Sequence, residues 1–477
     1  MSNAQFLKIS GGAALKGKVR TQGSKNAALP VMAAALLLGD GEKLTCTNVP
    51  LLRDTETLVA LLRALGMDVQ FEDGAATVTR RGDLLCEMPA SLVQKMRASS
   101  ILLGPLLAQT GRAVMPLPGG CAIGARPIDL HLKGLAKMGA SIELSHGAVY
   151  ASARKLRGCR IYLDFPSVGA TENLVMAAAL ADGETTIENA AREPEITNLV
   201  QALQAMGAEV CYKKDNAGVI QVNGRAGLFS GRVQIIPDRI ASCTYLLAGV
   251  ITNGEVTVTD VQPQHFDSLL AKLEEADVSY ECQENSVTVY PSRGRLKKLS
   301  VKTMPYPGFP TDVQPQLMAA LCLAKGTSVI KESIFESRFQ HVAELRKMGA
   351  AIEIQGNTAV INGVPALYGA SVQGTDLRAG AAAPVQDRRP QRPTAGKLDK
   401  QLRRPQTFRH HEGQEIRRNP GAVQRPGQKQ RHQRRQQRAL KERGHRAVAA
   451  KISKQRNSPL LSFPKSAEIS PIPETHN

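Results

Sequence analysis

The sequence predicts an α/β protein made of repeated units, and three features of the chain support this fold class. Five apolar segments rich in Ala and Leu each run into a glycine, and these glycines stand at positions 41, 111, 183, 254 and 326. Their spacings of 70, 72, 71 and 72 residues indicate a repeated architecture. A strand-like stretch follows each glycine. We expect a β-α-β-α-β-β unit of roughly seventy residues.

The first helix of each unit is apolar on every side, which predicts that neighbouring elements bury it. The glycine that closes each segment predicts a helix end in the left-handed conformation, which glycine adopts without steric cost. These predicted segments are Ala27–Gly41, Ser99–Gly111, Thr171–Gly183, Ser242–Gly254 and Val313–Gly326.

The rest of each unit is a β-rich run, a polar loop, an amphipathic helix and two short strands. Apolar residues at helical spacing predict that the amphipathic helices cover a core with one face. The predicted β-rich runs are Lys43–Asn48, Thr185–Asn189, Glu255–Asp260 and Thr327–Ile330. The predicted amphipathic helices are Thr55–Leu65, Leu130–Met138, Ile196–Met206, Phe266–Glu275 and Phe339–Met348.

Basic charge is concentrated in the last part of the chain. The 477 residues carry a formal charge of +19, but residues 381–477 hold 23 Lys and Arg against 7 Asp and Glu, a balance of +16. The other 38 basic and 35 acidic residues give residues 1–380 a balance of only +3. Trp is absent and aromatic residues make up 4% of the chain, which argues against nucleic-acid binding by a stacking surface in residues 1–380.

A sixth unit begins near Thr375 and then stops. The stretch from Thr375 to Ala381 opens like the other apolar helices, whereas the chain after Ala383 is rich in Pro, Gln and Arg and has no apolar period. One interpretation is a genuine basic extension that binds nucleic acid or acidic surfaces. We favour a change of reading frame within the unit, because a natural tail follows a finished domain. Residues 383–477 are then a low-complexity basic tail outside the fold.

Cysteine usage and the start of the chain predict the cellular compartment. The eight cysteines show no C-x-x-C pair and no clustering with His, so we expect free thiols, a reducing compartment and no metal site. The chain starts without the basic and apolar segments of a signal peptide, and no apolar run reaches the ~18 residues that span a bilayer. These features predict a cytoplasmic protein.

Residues 116–131 combine a cysteine, an arginine and several glycines. Gly119 and Gly120 give the backbone freedom before Cys121, and Arg126 offers donors suited to a phosphate or a carboxylate. A thiol beside an arginine ionises more readily than a buried thiol. The stretch therefore predicts a reactive loop, with a surface turn that happens to hold a cysteine as the alternative.

Several longer motifs resemble the enolpyruvyl transferase family, in particular its members that act on UDP-N-acetylglucosamine. The resemblance extends from about Phe6 to Ala382. It is weaker for the sister enzyme 5-enolpyruvylshikimate-3-phosphate synthase, which lacks the cysteine loop. The motifs are G-S-K-N-A-A-L-P from Gly23, K-M-R-A-S from Lys95, P-G-G-C-A-I-G-A-R-P-I-D-L-H from Pro118, S-V-G-A-T from Ser167, A-R-E-P-E-I from Ala191 and F-P-T-D from Phe309.

This resemblance implies a two-domain inverted (inside-out) α/β barrel, with helices inside and sheets outside each domain. It assigns residues 1–24 and 235–382 to one discontinuous domain, which makes phosphoenolpyruvate and sugar contacts and has an incomplete last repeat. Residues 25–234 form the second domain and carry the Cys121 loop.

The resemblance also implies a reaction. The family transfers the enolpyruvyl group of phosphoenolpyruvate to the 3-hydroxyl of UDP-N-acetylglucosamine by addition–elimination and releases phosphate. This is the first committed step of peptidoglycan synthesis, on which cell shape and division depend. Cys121 matches the general acid, because a thiol keeps its proton at neutral pH, and its alkylation by fosfomycin is implied as well. Asp312 matches the base at the sugar hydroxyl, and an Asp after Pro-Thr could serve as a helix N-cap as well. Asp376 matches a proton relay, with a cap on the sixth buried helix as its alternative.

The other matches are substrate contacts, and neither a metal nor an organic cofactor is implied. Lys25, Arg126 and Arg378 match the cations that hold phosphoenolpyruvate, and Arg97 lies close to both substrates. A lone arginine is more often a solvated surface group, so these assignments depend on their motifs. The further matched positions are Asn26, Pro127, Ile128, Asp129, Leu130, Ser167, Val168, Gly169, Ile334 and Arg338.

Some positions depart from the family pattern or stay open. Phe165-Pro166 replaces a lysine-containing loop that contacts the diphosphate, and the family's later arginine in H-I-D-R-G has no counterpart after Arg378. We therefore expect poor solubility and little turnover from a chain that carries this tail. His131 and His341 are candidates for ligand contact or for a structural role at helix ends. The alternative function is a catalytically inactive α/β scaffold whose basic tail binds nucleic acid.

Overall fold

The computed structural model describes residues 9–118, 128–374, 378 and 380, and the structural statements below concern these residues. The predicted sixth unit and the basic tail fall almost entirely outside them. The α-helices are α1 (Lys25–Ala33), α2 (Arg53–Ala64), α3 (Ala90–Val93), α4 (Leu103–Thr110), α5 (Asp129–Lys137), α6 (Val168–Ala178), α7 (Pro194–Ala205), α8 (Arg239–Ile251), α9 (Asp267–Glu275), α10 (Gln314–Leu321) and α11 (His341–Lys347). Short 3-10 helices are Ala34–Leu37, Arg97–Leu102, Pro263–Phe266 and Thr311–Val313.

The strands form sheets with one recurring topology. The strands are β1 (Lys16–Arg20), β2 (Lys43–Thr47), β3 (Met67–Glu72), β4 (Ala75–Arg80), β5 (Arg112–Pro116), β6 (Ser141–Ser145), β7 (Ala148–Ser152), β8 (Arg160–Tyr162), β9 (Glu184–Glu188), β10 (Glu209–Lys213), β11 (Asn216–Asn223), β12 (Gly231–Gln234), β13 (Glu255–Thr259), β14 (Tyr280–Gln283), β15 (Ser286–Val289), β16 (Ser300–Lys302), β17 (Thr327–Lys331), β18 (Ala351–Gln355) and β19 (Thr358–Asn362). The four-stranded sheets have the orders β1-β13-β15-β14, β12-β2-β4-β3, β8-β9-β11-β10 and β16-β17-β19-β18, and β5-β7-β6 form a smaller sheet.

In each four-stranded sheet the first two strands are parallel and the later pairs are antiparallel. The parallel pair needs a crossover, and a buried helix supplies it between β8 and β9 and between β16 and β17. In the sheets that contain β1 and β12 the parallel partners are far apart in sequence: β1 pairs with β13, and β12 with β2. The common pattern confirms the predicted repeat.

The apolar helices are buried, as their composition predicts. Residues Ala170–Ala178 of α6 and all of α10 are buried, and the same holds for every residue from 27 to 37. The buried apolar side chains form two clusters, one within residues 27–235 and one within residues 240–367. The helices therefore fill the interior and the sheets cover them. The domain boundaries expected at residues 24, 234 and 382 stay a prediction.

The closing glycines end the helices differently from the prediction. Gly111 is the C-cap of α4 with a φ of 73°, as predicted. In contrast, α6 and α10 end at Ala178 and Leu321, several residues before Gly183 and Gly326. Between each helix end and its glycine, the chain pairs with an earlier segment instead of continuing the helix. Asp182 forms a β-bridge with Arg157, and Lys325 forms one with Lys297.

Gly254 also differs from the prediction, because it is not the left-handed residue of its turn. The left-handed residue at this turn is Asn253, with a φ of 52°. A Cβ atom on Gly254 would lie 2.0 Å from the carbonyl oxygen of Leu15. Glycine is therefore required at this position because the N-terminal backbone passes too close for any side chain.

The amphipathic helices are confirmed to within two residues at either end. Each buries one face, for example Leu58, Leu61 and Leu62 in α2. No helix within the described residues is long and apolar enough to cross a bilayer.

Candidate active site

A cavity of about 730 Å³ brings most of the predicted site residues together. Its walls come from the starts of α1, α5 and α6 and from the 3-10 helix Arg97–Leu102, all in the first part of the chain. The second part supplies the Thr311–Val313 turn and the segment after β17. The predicted residues on its walls are Lys25, Asn26, Arg97, Ile128, Asp129, Leu130, Ser167, Val168, Gly169, Asp312 and Ile334.

Of the other predicted residues, two contact Asp312 and four lie outside the part of the chain that the structure describes. Arg338 and Arg378 are not among the wall residues, but both contact the carboxylate of Asp312. Cys121, Arg126, Pro127 and Asp376 lie outside the described residues. The catalytic and binding roles of all these residues stay predictions.

Two helix N-termini open onto the cavity. The Ser24 hydroxyl caps α1 and accepts from the backbone N–H of Ala27 at 3.4 Å. The Ser167 hydroxyl caps α6 and accepts from the backbone N–H of Ala170 at 3.3 Å. Helix N-termini carry partial positive charge and free N–H groups. This end of the cavity is therefore suited to anions.

Lys25, the first residue of α1, is held by an acid that the sequence did not reveal. Its Nζ lies 2.9 Å from Oδ2 of Asp54 in the first turn of α2, and the lysine side chain is 17% exposed. Both residues line the cavity. The pair holds the ammonium group in position beside the N-terminus of α1, where a bound anion would meet it.

Two arginine side chains contact the carboxylate of Asp312. Its Oδ1 is 2.9 Å from Nη2 of Arg338, and its Oδ2 is 3.2 Å from Arg378. The Arg338 side chain is 2% exposed and that of Arg378 is 16% exposed. The alternative role as a helix cap is wrong, because α10 begins after Val313 without a side-chain cap. Two guanidinium groups therefore contact one carboxylate at this wall.

His131 is buried on the cavity wall as a neutral imidazole. The backbone N–H of Gly104 donates to Oδ1 of Asn173, so Nδ2 of that amide donates to the Ser100 carbonyl and to Nδ1 of His131. The histidine proton is therefore on Nε2, which packs against Gly169. Burial, with a smaller contribution from the charge of Arg97, lowers the pKa of His131 to about 4. His341 is also buried but is not among the residues that line the cavity.

A second charged group on the cavity wall is acidic. Oε1 of Glu195 is 3.1 Å from Nε of Arg239, and both side chains are almost fully buried. Glu193 accepts from the backbone N–H of Tyr306 at 3.3 Å, and the Tyr306 ring lies 5.6 Å from the Arg239 guanidinium. Burial raises the pKa of Glu172 well above its ordinary value, and the charges of Glu195 and Glu193 raise it further. Burial and the two neighbouring acids therefore both favour the protonated form of Glu172.

Part of this acidic group could have been recognised from the sequence. Glu172 stands inside a mostly apolar helix, and a buried acid at such a position must be neutral, paired or functional. Glu193 and Glu195 flank Pro194 at the start of α7, within one of the matched motifs. Asp54 carried no comparable signal, because an acid in the first turn of a helix is common.

Among the residues that the structure describes, no group of three or more His, Cys, Asp or Glu side chains is arranged to hold a metal ion. The expectation that the chain uses neither a metal nor an organic cofactor stays a prediction.

Comparisons with known proteins identify the class to which this fold and cavity belong. Residues 9–386 match the family model described as EPSP synthase (3-phosphoshikimate 1-carboxyvinyltransferase). The enolpyruvyl transferase NikO from Streptomyces tendae superimposes with a TM-score of 0.71 at 25% identity, over 79% of this chain and 89% of that one. An EPSP synthase from Acinetobacter baumannii, 19% identical, has the same fold with a TM-score of 0.60 over 80% and 91% of the two chains. The chain belongs to the EPSP synthase family.

Curated relatives define its place in this family more narrowly. UDP-N-acetylglucosamine 1-carboxyvinyltransferase 2 of Carboxydothermus hydrogenoformans is 50% identical over 375 residues, which are 78% of this chain and 88% of that protein. UDP-N-acetylglucosamine 1-carboxyvinyltransferase of Nitratidesulfovibrio vulgaris is 49% identical over 376 residues, 79% and 89% of the two proteins.

Proposed function

We propose that this chain transfers the enolpyruvyl group of phosphoenolpyruvate to the 3-hydroxyl of UDP-N-acetylglucosamine and releases phosphate. Relatives about half identical to it carry the name of that enzyme. The observation in the structure that carries the proposal is the cavity, because matched residues from separate repeats line it together. The comparisons give no support to the alternative of an inactive scaffold that binds nucleic acid.

The reaction is an addition followed by an elimination. In the addition, the sugar 3-hydroxyl oxygen bonds to C2 of the enol phosphate, its proton passes to a base, and an acid delivers a proton to C3. In the elimination, a proton leaves C3, the bond from C2 to the phosphate oxygen breaks, and the C2=C3 double bond forms again. Atoms and electrons balance without an added oxidant or reductant.

Asp312 is the base in this proposal. Its carboxylate is oriented by Arg338 and Arg378 at 2.9 and 3.2 Å, so its direction into the cavity is set before substrate binds. When Asp312 takes the hydroxyl proton, its charge is lost and its attraction for the two guanidinium groups weakens. Arg378 is then better able to hold the phosphate or carboxylate of phosphoenolpyruvate, as its match to the family suggests.

The anionic groups of the substrates meet cations and helix N-termini. Lys25 at the start of α1, with Arg97 and Arg126, is assigned to phosphoenolpyruvate, and the first turn of α6 around Ser167 is assigned to the diphosphate of the nucleotide sugar. Both helix ends favour anions through their free N–H groups. Asn26, the 127–130 stretch and Ile334 are assigned to the sugar nucleotide.

Cys121 is the proposed general acid, and Asp376 the proposed proton relay. A thiol supplies the proton that C3 requires at neutral pH, where an exposed carboxyl group has already lost its own. The activity belongs to the first committed step of peptidoglycan synthesis in the cytoplasm, and so to cell shape and division.

The test is phosphate release with each substrate omitted in turn. The assay uses micromolar amounts of protein, because residues 383–477 are expected to lower turnover. Release that requires both phosphoenolpyruvate and UDP-N-acetylglucosamine, and that Cys121→Ser abolishes, is the expected result. Release that either substrate alone supports would overturn the proposal.

Cys121→Asp is the sharper variant. A carboxyl group at this position removes the sulfur nucleophile and donates a proton in its protonated form, so we expect activity that is greatest at acidic pH and no alkylation by fosfomycin. Continued sensitivity of Cys121→Asp would show that this thiol is not the alkylated group.

A further inference from the structure

Glu332 is a buried carboxyl group beside the cavity that no step of the proposed reaction uses. It directly follows β17 and is 2% exposed. A carboxylate at this depth requires hydrogen-bond donors, since the interior replaces its water shell.

Glu332 receives four such donors. Its Oε1 accepts from the hydroxyl of Thr303 at 2.7 Å and from the backbone N–H groups of Ile334 and Phe335 at 2.8 and 3.2 Å. Its Oε2 accepts from the hydroxyl of Thr311 at 2.9 Å. Because a carboxylate only accepts, all four donors are turned toward it.

Three of these donors belong to two parts of the cavity wall. Ile334 and Phe335 line the cavity from the segment after β17, and Thr311 lines it from the turn that carries Asp312. A second link joins the same two parts, since Arg338 lies 2.9 Å from Asp312. The segment from residue 332 to residue 338 therefore holds the Asp312 turn at two points.

We propose that Glu332 is a positioning residue, which sets Asp312 at the correct distance from the Ile334 wall through the hydroxyl of Thr311. This inference rests on the proposed function, in which Asp312 removes the proton of the sugar hydroxyl. A general base must be within hydrogen-bond reach of that proton, and a displacement of about 1 Å costs roughly 100-fold in rate.

The test compares two substitutions of Thr311. Thr311→Val keeps the shape of the side chain and removes the hydroxyl, so kcat for phosphate release falls about 10- to 100-fold while KM for UDP-N-acetylglucosamine changes less than about threefold. Thr311→Ser keeps a hydroxyl and stays within about threefold of the unaltered chain. The matched control is Thr257→Val, which breaks the 2.9 Å hydroxyl pair of Thr257 with Thr288 in a sheet and leaves kcat unchanged.

A double-mutant cycle with Glu332→Gln separates positioning from direct contact, because the Thr311 hydroxyl faces the cavity and could touch substrate itself. If Thr311 acts through Glu332, Thr311→Val lowers kcat by less than about threefold once Glu332→Gln is present. Effects of the two substitutions that multiply fully would overturn the proposal.

The outcomes also separate this inference from the function on which it depends. An unaltered chain that releases no phosphate with both substrates overturns the proposed function and the positioning role together. An active unaltered chain whose Thr311→Val variant keeps its kcat overturns the positioning role alone.

Discussion

Two groups of charged side chains on the cavity differ in what surrounds their carboxyl groups. The carboxylate of Asp312 contacts two guanidinium groups. Glu195 pairs with the guanidinium of Arg239, and its charge helps to raise the pKa of the buried Glu172. A cation beside a carboxyl group favours its charged form, whereas burial beside another acid favours its protonated form. The comparison teaches that the neighbours of a buried carboxyl group decide whether it keeps its charge.

The largest effect is expected at Asp312. Asp312→Asn keeps the shape of the side chain but removes the proposed base, so kcat for phosphate release should fall about 10²- to 10⁴-fold. Asp68→Asn, which alters an exposed ion pair with Arg81, serves as the control and should leave kcat unchanged. An Asp312→Asn variant within about threefold of normal kcat would remove Asp312 from the mechanism.

At the acidic group, the expected effect is on stability. Arg239→Met leaves Glu195 buried without its cation, so the free energy of unfolding should fall by about 3–5 kcal/mol. Urea denaturation measures it. The exposed pair of Arg160 with Glu188 provides the control, since Arg160→Met should change the unfolding midpoint little. Equal midpoints for the two variants would contradict the buried pairing.

Glu172→Gln tests whether Glu172 is protonated in the folded chain. The pKa of Glu172 is raised above 4.5, so the folded chain keeps a proton that the unfolded chain releases. The free energy of unfolding therefore falls as pH rises from about 4.5 toward the folded-state pKa, by up to about 1.4 kcal/mol per pH unit.

The variant should lose this slope and be at least as stable as the unaltered chain at neutral pH. Urea denaturation across a series of pH values measures the slope in both proteins. Parallel curves would mean that Glu172 is ionised in the folded chain.

The smallest effect is expected at His131, whose buried imidazole is neutral. Its pKa of about 4 keeps the imidazole neutral, with the proton on Nε2, from about pH 5 to pH 8. Stability from this residue is present above 6.5 and is lost as pH falls toward 4. Nitrogen NMR, assigned with His131→Asn, measures the tautomer, and a doubly protonated ring above about pH 6 would contradict the buried network.

The repeat architecture was predictable because its signals are local. Apolar and amphipathic helices can each be recognised within a few turns of chain, and the amphipathic helices begin and end within two residues of their predicted bounds. Gly254 was misjudged because its constraint is distant in sequence. Leu15, at the other end of the chain, passes against it.

The site residues were predictable only where they belong to a family motif. Asp312 was identified from its motif, but its partners Arg338 and Arg378 stand 26 and 66 residues away, and the sequence does not show that they share one carboxylate. Glu332 had no signal, because an acid after a strand is usually exposed. Its four donors meet only when the ends of β16 and β17 and the Asp312 turn are brought together.

The most direct test of enolpyruvyl transfer by this chain is the reaction in deuterium oxide with both substrates, followed by mass spectrometry of the sugar nucleotide and by phosphate analysis. Addition–elimination in this cavity predicts one phosphate released for each sugar nucleotide that gains an enolpyruvyl group, with deuterium from solvent on its methylene carbon. Phosphate release without the modified sugar nucleotide, or an enolpyruvyl group that never acquires deuterium, would contradict it.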